Sequence, residues 1–247
     1  MANTNKKIPE YDHLFSDANR AQDNELLCSS LFHAISHEIR TPLASIVGNS
    51  LTLQENWELL TEREKLSSVA RIYEEADWLT RIVENLLAVS RMREDITPLH
   101  TTEELVEEVI GEALQKLERR HPGCVIHVKV PEDYIFLSMD AILIEQVIIN
   151  LLENALSRSG STAPVDMLVM EEPDVISFTV RDYGTSIPEE LLFDPLEKAA
   201  GLATANSQAG WGIILFTCKA ILDAHHGTLK AENHSHGAEF TFTLPKV

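Results

Sequence analysis

SHEIRTPLAS, Ser36 to Ser45, sets a histidine beside a glutamate, a threonine one turn further on and then a proline. A proline inside a helix costs about 3 kcal/mol, so its place in a run with helical periodicity calls for a reason. Ile35, Ile39, Leu43 and Ile46 mark one apolar stripe. His37 lies two residues past Ile35, about 200° round a helix of 3.6 residues per turn, and is therefore predicted to face solvent. A neutral imidazole tied at one nitrogen to a carboxylate presents the other as a nucleophile, and Glu38 is the nearest candidate base. Thr41 stands on the same face as His37, where its hydroxyl can hold a water over a group attached to the ring. Pro42 is expected to free a carbonyl and bend the helix just past the site. An exposed histidine beside a glutamate is also what an ordinary solvated helix face looks like, and the stretch alone leaves both readings open.

Working outward, residues from about Asn24 to Arg93 are almost free of glycine and proline. Leu66, Val69, Ile72, Ala76, Leu79, Val83 and Leu86 repeat the helical spacing after TLQENWELLTEREK, which is expected to carry a turn. Two helices with one apolar stripe each cannot enclose a core, so a homodimer closed as a four-helix bundle is the economical arrangement. The expected division is a tail or linker over 1–24, the helical hairpin over 25–94 and a second domain over 95–247.

The whole chain has 247 residues, 44% of them hydrophobic, enough for a real core. Its 20 Lys plus Arg against 39 Asp plus Glu give a formal charge of −19, which repels a phosphate backbone and argues against nucleic acid as a partner. Cys28, Cys124 and Cys218 lie far apart with no CxxC spacing, so neither a disulfide framework nor a zinc site is indicated. No apolar run approaches the ~20 residues needed to cross a bilayer. A cytoplasmic setting is expected, with a membrane involved only if these residues belong to a longer chain.

Beyond Arg93 helices and strands alternate. Thr101 with Glu104 three residues on has the form of a capping box, predicting a helix to about Arg119. CVIHVKV, IFLS, VDMLVM and VISFTVR are strand-like; Asp140 is placed to cap a helix reaching about Arg158; another helix spans about Trp211 to His225, and TLKAEN and AEFTFTLP form a closing hairpin. The fold class is α+β, a mostly antiparallel sheet with helices on one face.

Two segments carry further chemistry. Asn150 and Asn154 are spaced i, i+4 in QVIINLLENA, with Ile144, Val147, Ile148, Leu151 and Leu152 on the opposite face, so the two amides project together. An amide oxygen is a hard ligand suited to Mg²⁺, although two asparagines on a helix are also ordinary surface residues. In VRDYGTSIP, Asp182 can accept from the exocyclic amine of adenine, and Gly184 lets the backbone come close to a base.

SHEIRTPL closely resembles the phospho-acceptor box of bacterial sensor histidine kinases, QVIINLLENA resembles their asparagine box, and the resemblance extends over residues ~25 to 247. HEIRTPL, QVIINLLENA and AHHGTLKAEN are most similar to the potassium-responsive, Kdp-type members. The resemblance implies a helical dimerisation and phosphotransfer domain followed by an ATP-binding α/β sandwich of the GHKL, or Bergerat, type. It also implies autophosphorylation of His37 by ATP with Mg²⁺, then transfer to an aspartate in the receiver domain of a response regulator. On the matching positions, Asn154 is the main magnesium ligand and Asn150 its helper, with Glu153 alongside as a further metal or water contact. Asp182 and Gly184 would meet the base, and Gly210 and Gly212 in AGWGIIL would open a helix cradling phosphates. EKAAGLATANSQ suits a lid over the nucleotide. The chain departs from the family pattern at Ser186 and Gln208, where glycine is common, at Trp211, where leucine is usual, and at Ser157, where a phosphate-contacting lysine is often found. Arg158 is the expected substitute for that lysine. The altered glycine boxes leave a second reading open, a nucleotide-poor pseudokinase or histidine phosphotransfer protein with the same fold.

Overall fold

The computed structural model describes residues 39–93, 99–159, 163–187 and 210–246. His37, Glu38 and the segment expected to form a lid lie outside the described residues.

Helix α1 (39–56) and helix α2 (Glu62–Arg93) form the expected hairpin, with the turn at 57–61. Thr61 opens α2. Its backbone N–H and its hydroxyl both donate to Glu64 Oε2, at 2.8 and 2.7 Å, and the Glu64 N–H donates back to the hydroxyl at 3.3 Å. This reciprocal capping box was not anticipated in the sequence, and its bonds from Thr61 hold the Glu64 carboxyl below its ordinary pKa. Ile82 is fully buried against Ile39, Trp78 and Leu86. The rest of the apolar stripe stays open in the single chain, with Leu43 51% and Leu66 69% exposed.

The second half begins with β1 (Thr102–Leu105), where the sequence predicts a helical turn. β1 pairs antiparallel with β3 (Phe136–Met139), matching Thr102 to Met139 and Leu105 to Phe136. The strand wins because β3 offers its backbone a row of partners, while Glu104, the expected capping partner of Thr101, accepts instead from the Thr102 hydroxyl at 2.6 Å. Helix α3 (Val106–Arg120) therefore starts at Val106, whose N–H donates to the Ile135 carbonyl at 3.0 Å, without any side-chain cap.

Strands β2 (Ile126–Lys129), β4 (Val165–Glu171), β5 (Val175–Arg181), β6 (Thr228–His234) and β7 (Gly237–Pro245) form one sheet in the order β2-β4-β5-β7-β6. The β2–β4 pair is parallel and the others antiparallel. Alternate residues, Val165, Met167 and Val169 on β4 and Ala238, Phe240, Phe242 and Leu244 on β7, point into the core. Phe178 and Phe242 stack there at 4.5 Å. Helix α4 (Ala141–Ser159) and helix α5 (Gly210–Ala224) cover that face, with α3 packed on α4. Asp140 caps α4 as expected, through Leu143 N at 3.3 Å. No described helix is long and apolar enough to cross a membrane.

His225 joins the two covering helices. Its Nδ1 donates to the Ile221 carbonyl of α5 at 2.7 Å, and its Nε2 accepts from the Asp140 N–H at the start of α4 at 3.0 Å. Burial pushes its pKa below the ordinary histidine value. Both ring nitrogens are thus committed in the neutral tautomer.

Candidate functional site

Helix α4 positions the asparagines because one face is packed with Leu143, Val147, Leu151 and Leu152, leaving its polar residues to face neighbours above the sheet. Asn154 is buried, and neither its Oδ1 nor its Nδ2 has a hydrogen-bond partner among the described residues. An orphaned buried amide is costly unless something supplies the bonds, and a hard cation or a phosphate shell is the group its oxygen suits. The residues present thus fit Mg²⁺ with nucleotide at Asn154.

Asn150 is placed differently. Its Nδ2 donates to Asn85 Oδ1 of α2 at 2.7 Å and lies 3.6 Å from Cys218 Sγ on α5, while its Oδ1 accepts from Gln146 at 3.0 Å. One lone pair of that oxygen is left for a metal. Burial pushes the Cys218 thiol up to about 12, which makes it a packing group.

Glu153 does not join the asparagines as a metal or water contact. It turns to the other side of α4, where its carboxylate lies 3.3 Å from Arg81, 3.5 Å from Arg120 and 3.4 Å from His121. Burial raises the Glu153 pKa, but His121, Arg81 and Arg120 outweigh it and hold the carboxyl below the ordinary range. Arg120 also pairs with Glu84 at 2.9 Å, so this cluster fastens α2 to α3 and α4. It borders a cleft of about 570 Å³.

Asp182 is wholly buried at the end of β5. Its Oδ1 accepts from the N–H groups of Gly184 at 3.0 Å and Ala238 at 3.3 Å, and its Oδ2 accepts from Arg158 Nε at 2.9 Å. Arg158 Nη2 also donates to the Thr185 carbonyl. Arg158, the expected substitute for the missing lysine, binds the 182–185 loop. Gly184 is required by close approach, because a Cβ there would sit 2.0 Å from the Arg158 carbonyl oxygen. Ser186 costs the loop no left-handed strain, since His226 is the one non-glycine with positive φ among the described residues.

Two residues that sequence reasoning missed complete the loop. His234 Nε2 donates to the Asp182 carbonyl at 2.8 Å, and the Asn233 side chain brackets Ile187 by accepting from its N–H and donating to its carbonyl, both at 2.7 Å. Both precede the tight turn into β7, where they read as polar turn residues. Thr41 is exposed on α1, which runs through Pro42, while Gly210 opens α5 and Gly212 lies in its first turn. The structure thus brings Asp182 and Gly184 together at the C-terminal end of the helix that carries Asn150 and Asn154.

Two family descriptions match the chain. "His Kinase A (phospho-acceptor) domain" covers residues 29–95, and "Histidine kinase-, DNA gyrase B-, and HSP90-like ATPase" covers residues 139–247. The chain belongs to the sensor histidine kinases. Among curated relatives it is 40% identical over 227 residues to the sensor protein KdpD of Clostridium acetobutylicum, covering 91% of this chain and 25% of that one. To KdpD of Escherichia coli it is 34% identical over 237 residues, covering 93% of this chain and 26% of the relative. The chain thus spans about a quarter of the length of these Kdp-type kinases. Among solved structures, the nucleotide-free catalytic domain of histidine kinase ThkA is 28% identical with a TM-score of 0.53, covering 60% of this chain and 97% of that one. ThkA in complex with the response regulator TrrA aligns with a TM-score of 0.69 over 98% of this chain and 68% of that one, at 23% identity, a likeness of fold. A hairpin followed by an α/β sandwich is the shared architecture.

Proposed function

We propose that the chain is an ATP-dependent protein histidine kinase that autophosphorylates His37 and passes the phosphoryl group to a response-regulator aspartate. The observation that carries the nucleotide half is the orphaned amide of Asn154 on the helix whose last turn reaches Asp182 through Arg158. Residues 25–94 act as the dimerisation and phosphotransfer unit and residues 95–247 as the ATP-binding unit. The exposed apolar stripe of the hairpin supports a homodimer, and the complex of ThkA with the response regulator protein TrrA supports the same kind of partner here.

In this reading one imidazole nitrogen of His37 attacks the γ-phosphorus. A P–N bond forms as the P–O bond to ADP breaks, and the proton on the other ring nitrogen passes to Glu38. Asn154, helped by Asn150, would hold Mg²⁺, which would supply charge to neutralise the phosphates. Asp182 accepts from the amine of the base and Gly184 leaves room beside it, while the Gly210 and Gly212 turn presents N–H groups to phosphate. Thr41 orients the water that later hydrolyses a phosphorylated receiver. Titration calorimetry with a non-hydrolysable ATP analogue and Mg²⁺ tests the site. Micromolar to sub-millimolar binding, lost in Asn154→Ala, is expected; no binding at millimolar nucleotide would reject it.

A further inference from the structure

Asp182 and Arg158 have side chains 0% and 4% exposed, so the carboxylate assigned to the base cannot be touched from solvent as it stands. A carboxylate offers about four acceptor positions. Two on Oδ1 are taken by the Gly184 and Ala238 N–H groups, and Arg158 Nε takes one on Oδ2. The fourth, also on Oδ2, is closed to solvent with the rest of the carboxylate, so the guanidinium lies on the oxygen that a purine's exocyclic amine would need. Its second bond, to the Thr185 carbonyl, and the contact of Gly184 with the Arg158 backbone press the loop onto the end of α4. Arg158 lies in the last turn of that helix, where a cation is also favoured by the unsatisfied carbonyls. A long side chain at a helix end leaves its pocket by rotation about its own bonds, with no backbone rearrangement.

We propose that Arg158 is a gate on base recognition: its guanidinium occupies Asp182 in the free protein, and adenine binds by displacing it. This rests on the nucleotide reading above. Displacement breaks a buried ion pair, so the base contributes less to affinity here than it would at an open carboxylate. Arg158 is accordingly a specificity-determining residue, since only a base with a donor placed for Oδ2 compensates the lost bond, and the phosphates alone do not open the gate.

Calorimetry with ADP and with inorganic tripolyphosphate, each with Mg²⁺, compares the native chain with Arg158→Gln and with Arg158→Lys, whose fold is verified by circular dichroism. Arg158→Gln is expected to bind ADP about tenfold more tightly, because its free state no longer holds a pair that must be broken, with tripolyphosphate affinity unchanged. Arg158→Lys, which keeps the charge and loses the fork, is expected to fall between. In the native chain the Arg158 Nε–H resonance should be protected from solvent exchange and lose that protection at saturating ADP. Equal or weaker ADP binding in folded Arg158→Gln, or protection that survives ADP saturation, would overturn the gate. Absence of ADP binding in every variant would instead reject the nucleotide reading and the gate with it.

Discussion

Asn154 is an amide folded into the interior with both polar atoms unbonded among the described residues. Each unmade bond costs about 1 to 3 kcal/mol of stability, a cost that the proposed binding of Mg²⁺ with nucleotide would offset. Replacing Asn154 with Leu, similar in volume and without polar atoms, is expected to stabilise the nucleotide-free chain by about 1 to 2 kcal/mol in urea unfolding while abolishing Mg²⁺-dependent nucleotide binding. His225 gives a pH signature. Its folded pKa is depressed, so below about 6.5 the unfolded chain takes up a proton that the folded chain refuses. Stability from this group is complete above that pH and declines as pH falls. Thermal melts between pH 7 and 5 should show a steeper loss for the native chain than for His225→Gln. At this scale the sequence marks Asn154 and Asp182 as candidates, because they stand in stretches with a recognisable order, and the structure gives their surroundings. The pairings of Arg158, His234 and Asn85 are not legible there, because their partners lie on other elements and pairings across the fold leave no local spacing to read.

Elements were legible wherever periodicity and burial agreed, as in α4, α5 and the closing hairpin. The exceptions were two competing capping boxes. Thr101 to Glu104 had the right residues in the wrong place, since a neighbouring strand claimed that backbone, while Thr61 to Glu64 capped α2 unnoticed inside a segment read as turn. Thr61→Ala is expected to cost about 1 kcal/mol and to speed hydrogen exchange of the first amides of α2. Gly184→Ala tests the contact between the loop and α4. With a Cβ 2.0 Å from the Arg158 carbonyl oxygen the loop must move, at a cost of about 3 kcal/mol in chemical unfolding.

The whole molecule is a hairpin fastened to a sandwich. Arg81, Glu84 and Asn85 on successive turns of α2 meet Glu153, Arg120 and Asn150, while the outer stripe of the hairpin, with Leu43, Leu66 and Val69, remains open. Covering that stripe at ~25 cal/mol per Å² supplies the drive for a dimer, and sedimentation at micromolar concentration is expected to find two chains per particle. A monomer there would reject the four-helix bundle. The charge of −19 and the two-regime pattern are properties of the whole chain that any reading of its composition finds, but the fastening between regimes depends on tertiary pairs and only the structure displays it. Phosphorylation itself is the most direct test of the account: incubation of the dimer with radiolabelled ATP and Mg²⁺, followed by acid and base treatment of the labelled chain. The account requires label that is lost in acid, survives base and is absent from His37→Gln. No label on the native dimer at millimolar ATP, or label that persists in His37→Gln, would contradict it.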